Sequence, residues 1–403
     1  MGASDGVHGV STSSDPHERA RSWQARLESV LGTPATDGNA VDVLRNGVEI
    51  FPAMLEAIDT AEQTVDIVTF VYWEGDIAIR FAESLARAAQ RGCRVRVLLD
   101  AVGARKIDEA LVEQMTEAGC DVRWFRPVDG RPPTIETANH RTHRKILVCD
   151  SRIGFVGGVG IADEWDGDAR NESEWRDTHL RVRGRAVAGL QAGFIDNWAD
   201  ENDDAFDPSH EHVVDDDRVG STPMSVIRGS AETGASEMWR LMLALITCAE
   251  EHVTIATAYF NPDERLCEAM TEAVRRGVNV TVLVPGEHAD KRFVQLAGEA
   301  TYSTLLDAGV RIKEFRPSMM HAKVTTVDGA IATVGSANLN RRSTQFDEET
   351  NVVLFDPQVI AVLDEHLRQD LARSDDVDPA DWAERGLLQR AGERVTELVR
   401  EWL

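Results

Sequence analysis

The sequence predicts an α/β fold made of two copies of one lobe, each lobe a sheet flanked by helices. Three observations predict it. Short apolar strands alternate with amphipathic helices, the pattern of sheets covered by helices. Matched stretches recur in the same order in both halves of the 403-residue chain. A His-x-Lys-x-x-x-x-Asp pattern occurs once per half, at His143, Lys145, Asp150 and at His321, Lys323, Asp328.

In chain order, residues 1–40 read as an N-terminal tail, partly disordered, with a Gly/Ser/Asp-rich start and no basic-then-apolar leader pattern. The first lobe is expected over 41–205. Its helix-to-strand stretch Ala57–Thr69 is matched by Ala244–Thr257. The helical pattern ending at Gly92 before CRVRVLLD is matched by the one ending at Gly277 before VNVTVLVP; glycine tolerates the left-handed cap such helix ends adopt. Ala118–Pro127 and Ala308–Pro317 are the third matched pair. An acidic, turn-rich linker follows at 206–221, then the second lobe at 222–372. Met238–Leu245 is strongly apolar but matches the core helix of the first copy, so it is expected to be buried. Residues 373–403 read as a C-terminal amphipathic helix, with Leu388, Ala391, Val395, Leu398 and Trp402 at spacings of three and four. Such a helix packs against the body or anchors at a membrane interface.

Composition excludes several classes of function. With 43 Lys plus Arg against 69 Asp plus Glu, the formal charge is −26. A surface this acidic repels nucleic acid, whose binding depends on neutralising phosphates, and it disfavours loose attachment to an anionic membrane. No run approaches the ~18 apolar residues of a membrane-spanning helix. Five cysteines, an odd number without a Cys-x-x-Cys pair, read as buried reduced thiols, which suits a reducing cytoplasm and disfavours a structural zinc site. Only five residues are lysine (Lys106, Lys145, Lys291, Lys313, Lys323), and two of them lie in the repeated motif.

On a strand, His and Lys at i and i+2 share a face, so an imidazole and an ammonium converge on one small anion. Further candidates follow each motif. Gly158 in the first copy and Ser336 and Asn338 in the second offer backbone or neutral side-chain donors to an oxyanion. Asp177 and Glu349, in parallel Asp-Thr-His and Glu-Thr-Asn triplets, are suited to hold each motif histidine in one tautomer. By parity, Asp150 and Asp328 point to the face opposite the histidines, which favours a scaffold role over a direct electrostatic one. Gly160 stands where the second copy has Asn338, so the first lobe lacks one neutral donor. The first copy also carries an extra segment, Val128–Thr142, whose end at Asn139, His140 and Arg141 could form the rim of the site.

With these motifs the chain resembles the phospholipase D superfamily, and within it the bacterial cardiolipin synthase-like branch, over about 330 residues from Val41 to Asp370. Supporting stretches are NGVEIFPAMLEAI, TFVYWEG, GGVGIADEW, WRDTH and TAYFNPD. The resemblance implies two lobes with mixed sheets and one active site at their interface, built from both motifs, with His143, Lys145, Asp150, His321, Lys323 and Asp328 as its catalytic set. It implies transfer of a phosphatidyl group from phosphatidylglycerol to a lipid alcohol through a phosphohistidine, without metal or other cofactor. By the same analogy His143 is the nucleophile and His321 the general acid and base; a hydrolase using water as acceptor is the alternative. The enzyme is expected to be a cytoplasmic monomer, peripheral at the inner face of the cell membrane.

Overall fold

The computed structural model describes residues 15–128, 140–201, 217–230, 236–290 and 301–384, with Glu211, Val213, Val214, Gln295, Gly298 and Glu299 besides. Its strands are β1 (Thr36–Arg45), β2 (Thr64–Thr69), β3 (Arg94–Asp100), β4 (Asp121–Phe125), β5 (Ile146–Cys149), β6 (Ile153–Gly157) and β7 (Thr178–Arg183) in the first half. The second half repeats them as β8 (Thr222–Gly229), β9 (His252–Ala256), β10 (Asn279–Pro285), β11 (Arg311–Phe315), β12 (Val324–Val327), β13 (Ile331–Gly335) and β14 (Glu349–Leu354), with β15 (Ser374–Asp376) added at the edge. The helices are α1 (Pro16–Leu31), α2 (Asn46–Thr60), α3 (Asp76–Gln90), α4 (Glu109–Glu117), α5 (Val187–Asp200), α6 (Glu237–Cys248), α7 (Glu264–Arg275), α8 (Tyr302–Asp307), α9 (Arg341–Gln345), α10 (Pro357–Ala372) and α11 (Pro379–Glu384).

All the strands form one sheet, ordered β4-β3-β2-β5-β6-β7-β1 and then, mirrored, β8-β14-β13-β12-β9-β10-β11-β15. Within each half the outer three matched strands are parallel and the rest antiparallel, so each lobe carries a mixed sheet. Antiparallel pairing of β1 with β8 joins the halves. The helices bury the faces that their apolar spacing marks out. Ile77, Phe81 and Leu85 of α3 pack with α2 and α4 over the first half-sheet. Met238, Leu241 and Leu245 of α6 do the same in the second, as the sequence predicts. On the opposite face, α5 and α10 enclose a third core that draws on strands of both halves, including Ile146, Leu180, Val324 and Val352. The two lobes therefore share buried apolar surface instead of meeting only at a polar seam.

The tail needs correction. Asp15 caps α1 by accepting from the His17 amide, Pro16 starts the helix, and Ala20, Trp23 and Leu27 bury themselves in the second-lobe core. The first sheet begins at Thr36, inside the segment expected to be tail. Residues 1–14 lie outside the described residues, as do half of the 206–221 linker and all of 385–403, which include the amphipathic run from Leu388. Glu211, within the linker, is pinned by Arg94 and Arg96 at 3.2 and 2.7 Å. The second lobe runs past residue 372, since β15 pairs with β11 and Asp376 meets Lys313 at 2.9 Å. Cys93, Cys120 and Cys149 are buried, Cys248 and Cys267 are half-buried, and none is in a disulfide.

Candidate active site

Each motif histidine sits just before a short central strand, β5 or β12, where the chain passes from one lobe to the edge of the other. The backbone crosses there. The His143 amide donates to the Glu348 carbonyl at 2.9 Å, and the His321 amide donates to the Arg176 carbonyl at 2.7 Å. Parallel bridges Thr142–Glu348 and Arg176–Met320 complete the exchange. Each carboxylate consequently serves the histidine of the other lobe. His143 Nδ1 lies 3.0 and 3.1 Å from the two oxygens of Glu349, and His321 Nδ1 lies 2.8 Å from Asp177 Oδ2. Asp177 and Glu349, each expected to hold a motif histidine, lie against the histidine of the opposite lobe. With Nδ1 donating to a carboxylate, Nε2 of each ring is left for chemistry.

Two buried interlobe ion pairs brace these crossings. Arg176 reaches Asp370 of α10 at 2.8 Å, with Arg45 on the other carboxylate oxygen at 2.7 Å. Arg144 reaches Glu348 at 3.1 Å and donates to the Gly193 carbonyl at 2.6 Å. These arginines flank the motif in HRK and the carboxylate in WRD; a charge-alternating strand was the available signal. Arg141 is also buried, paired with Asp100 at 3.0 Å and donating to the Phe125 and Arg126 carbonyls. It belongs to the scaffold; of the extra segment, His140 lies edge-on against Phe346 at 5.9 Å, and residues 129–139 lie outside the described residues.

The lysines point back to their own motifs. Lys145 Nζ donates to the His143 carbonyl at 2.7 Å. Lys323 Nζ donates to the His321 carbonyl and lies 3.0 and 3.3 Å from that ring's nitrogens. His143, Lys145, His321, Lys323, Asp177 and Glu349 are all at most 9% exposed.

This burial sets the electrostatics. Desolvation pushes the His143 pKa well below its usual value, helped by the charges of Lys145, Lys323 and Arg342 and opposed by Asp347. His321 is pushed down to about 4, first by burial and then by Lys323, against the pull of Asp177. Burial pulls Lys145 down despite Glu349, and pushes Glu349 up despite Lys145. Asp177 behaves differently: burial pushes it up, but its hydrogen bond to His321 and the charges of His321 and Lys323 outweigh that and hold it below the usual range.

Three sequence expectations change. Asp150 accepts from the amides of Glu62, Gln63 and Thr64 at 2.7–2.9 Å, and Asp328 from those of Glu250, Glu251 and His252 at 2.7–2.9 Å. Both sit past the far ends of β5 and β12 and fix the α2–β2 and α6–β9 turns, so they are scaffold residues and leave the catalytic set. Gly158 does not offer its amide to a ligand, because that N–H bonds to the Thr178 carbonyl at 3.3 Å; a Cβ there would lie 2.3 Å from an Asp177 oxygen. Ser336 hydrogen-bonds through its hydroxyl to Glu349, and Asn338 turns its amide oxygen to the Tyr259 N–H at 3.3 Å. These residues hold the carboxylates and neighbouring loop in place.

Sequence reasoning missed an aromatic wall. His321 lies 5.0 Å from Trp165 and 5.4 Å from Trp175, centroid to centroid, and Trp165 Nε1 donates to Asp177 Oδ2 at 2.9 Å. His143 has one such neighbour, Phe70, at 5.1 Å.

A duplicated α/β sheet with a His, Lys and carboxylate from each half meeting at one seam defines a phospholipase D-like protein. The fold agrees: the crystal structure of phosphatidylserine synthase from Haemophilus influenzae Rd KW20 superposes with a TM-score of 0.68 at 15% identity, covering 96% of this chain and 100% of that one. The family model described as cardiolipin synthase, PLD-like domain, matches residues 54–171 and 242–371, and the chain belongs to that family. It is 32% identical over 395 residues to a cardiolipin synthase of Geobacillus kaustophilus (strain HTA426), covering 95% of this chain and 76% of the relative. It is likewise 32% identical to cardiolipin synthase 2 of Bacillus cereus (strain ATCC 14579) over 360 residues, 88% of this chain and 69% of the relative.

Proposed function

We propose that this chain is a phosphatidyltransferase of the cardiolipin synthase type, moving a phosphatidyl group from phosphatidylglycerol to a lipid alcohol with release of glycerol. The observation that carries the reading is the crossed pair of buried His–carboxylate contacts beside two lysines, in a chain whose relatives at 32% identity are cardiolipin synthases.

His143 is the nucleophile. Its neighbours Lys145, Lys323 and Arg342 disfavour an imidazolium, so the ring is neutral, and Glu349 holds its Nδ1–H and leaves the Nε2 lone pair for phosphorus. Attack forms the Nε2–P bond and breaks the bond to glycerol, splitting a difficult displacement into two easier ones. His321 is the general acid. Ionised Asp177 and the two indoles favour its cationic form, and its Nε2–H goes to the departing glycerol oxygen. The acceptor hydroxyl then returns a proton to His321 and attacks phosphorus, releasing His143. Lys145 and Lys323 stabilise the charge on the phosphoryl oxygens, typically the largest catalytic contribution. In the empty site burial first, then the charges of Lys323 and Lys145, keep His321 unprotonated near neutrality; a bound phosphodiester anion offsets those charges, so substrate and one proton bind together.

Among the described residues no helix is long and apolar enough to cross a membrane, and the exposed large apolar residues, such as Val48, Ile79 and Val362, are scattered. Peripheral contact with the inner face of the cell membrane follows from a lipid substrate in this reading, against the repulsion of the acidic surface. The test is to incubate pure protein with phosphatidylglycerol vesicles and chelator and follow the lipids by mass spectrometry. Cardiolipin with glycerol is the expected product. Phosphatidic acid alone would make the enzyme a hydrolase, and no lipid turnover would overturn the reading.

A further inference from the structure

The duplication supplies a control for the site, and among the positions where the lobes differ one is a buried imidazole without a partner. In the second lobe Asn351 is fully used: its oxygen accepts from the Ala337 amide at 3.1 Å and its nitrogen donates to Thr333 Oγ1 at 3.1 Å. The matching residue in the first lobe is His179, 1% exposed, and neither ring nitrogen has a hydrogen-bond partner. The backbone makes room for both side chains in the same way. A Cβ on Gly157 would lie 2.5 Å from His179 Nδ1, and one on Gly335 would lie 2.3 Å from the Asn351 oxygen. Buried polar groups are nearly always satisfied, so an unpartnered imidazole beside an active site calls for a physical cause.

His179 and Lys145 line the same small cavity, walled by Phe51, Met54, Ile67 and Ile161. The space open in it is about 10 Å³, roughly what one water centre requires. Lys145 uses one of its three donors on the His143 carbonyl. We propose that this cavity holds one buried water that accepts from Lys145 and donates to His179, making His179 a positioning residue that keeps Lys145 an ammonium and aims it at the phosphoryl group. The proposal rests on the transferase reading for its consequence in catalysis, but the His179–Lys145 link stands apart from it.

The charges around the pair agree with the direction of the link. His179 faces Asp177 and Lys145, and burial keeps it neutral near pH 7, so it accepts a hydrogen bond from the water without repelling the ammonium. Lys145 faces Glu349, Asp177 and Asp347, which favour its charge, and Lys323, which opposes it. Burial dominates, so losing a solvating acceptor lowers the Lys145 pKa further.

Three variants and two readouts test this. His179→Leu removes the acceptor; His179→Gln replaces it at similar reach; His179→Asn installs the second lobe's own solution, which bonds to the Val159 amide and leaves the water unsupported. The chain has five lysines, so a titration of ¹⁵N-lysine by NMR follows Lys145 without any substrate. In His179→Leu and His179→Asn its midpoint falls by about one pH unit, and in His179→Gln it stays near wild type. With phosphatidylglycerol vesicles, the alkaline limb of kcat/KM moves down with it, giving about tenfold loss at high pH and little change at pH 6. An unchanged Lys145 midpoint in folded His179→Asn overturns the proposal, as does an equal loss at every pH. If the wild type turns over no lipid, the transferase reading fails, and the NMR titration still decides the link.

Discussion

The two halves of the site use the same backbone and different side chains. Around His143 the carboxylate is Glu349, its donor is the Ser336 hydroxyl, and one phenyl ring stands by. Around His321 the carboxylate is Asp177, shorter by one methylene, its donor is the Trp165 indole, and a second indole closes the wall. Gly158 lacks the side chain that Ser336 has, and the space goes to the Asp177 carboxylate. Duplication preserved the crossing of the strands and set Lys145 and Lys323 against both histidines, while divergence placed an ionised carboxylate and two indoles on His321 and added the charge of Arg342 to His143. In the proposed mechanism this symmetric frame supplies one neutral nucleophile and one proton carrier.

The largest effects test that division directly. His143→Ala and His321→Ala should each lower lipid transfer by at least about 10⁴-fold, since one removes the covalent step and the other the proton to the leaving group. An ester with a nitrophenol leaving group needs no general acid, so it should recover phosphohistidine formation in His321→Ala and not in His143→Ala. Recovery in the opposite variant would exchange the two roles. Next in size are the carboxylates. Asp177→Asn should cost about 10²–10⁴ in kcat, because His321 loses the anion that supports its charge; Glu349→Gln should cost about tenfold, because His143 stays neutral and needs only orientation. Equal losses would mean that the asymmetry is not functional. The coupling of proton and substrate gives a third check: kcat/KM should fall as pH rises on the alkaline side, and binding of a phosphodiester should take up close to one proton, measured by calorimetry in buffers of different ionisation enthalpy.

Asp150 and Asp328 belong on the other side of the comparison, where the halves are alike. Each holds three backbone amides of the turn that leads into β2 or β9. Asp150→Ala and Asp328→Ala should therefore lower stability by about 1–3 kcal/mol, read as a lower Tm, while the folded fraction keeps its kcat/KM. A hundredfold loss of kcat/KM at unchanged Tm would return them to the chemistry.

The duplication was legible because helix-Gly-strand punctuation and the paired motifs survive at matched offsets; the order of the strands in the sheet was not. Nor was the crossing of the carboxylates. Aligning the repeats pairs Asp177 with Glu349, but each follows its own histidine in sequence, and only the passage of residues 141–143 and 319–321 over the opposite lobe assigns partners. Parity along a regular strand favoured a scaffold role for Asp150 and Asp328, and the reason they part from the histidines is that both lie past the strand end at a φ of 53°. Helix α1 was hidden for another reason: its Ala20, Trp23 and Leu27 have helical spacing, but most of its other residues are charged or polar, and β1 starts with Thr-Asp-Gly-Asn, residues typical of a turn. The buried arginines were missed because sequence alone places most charges at the surface.

The smallest effect is the most discriminating test of how divergence was tolerated. Trp165→Phe keeps an aromatic ring beside His321 and Trp175 but removes the indole N–H from Asp177. Ser336→Ala removes the hydroxyl from Glu349 at the corresponding place in the other half. A hydrogen bond to a buried charged group is worth about 1.5–3 kcal/mol and one between neutral groups about 1 ± 0.5 kcal/mol. Asp177 is ionised and Glu349 is pushed toward its neutral form. Trp165→Phe should thus lower kcat by about 10–100-fold, and Ser336→Ala by less than about tenfold. If Ser336→Ala proved the costlier change, Glu349 would be the ionised carboxylate and His143 the proton carrier, with every other step of the mechanism reversed between the lobes.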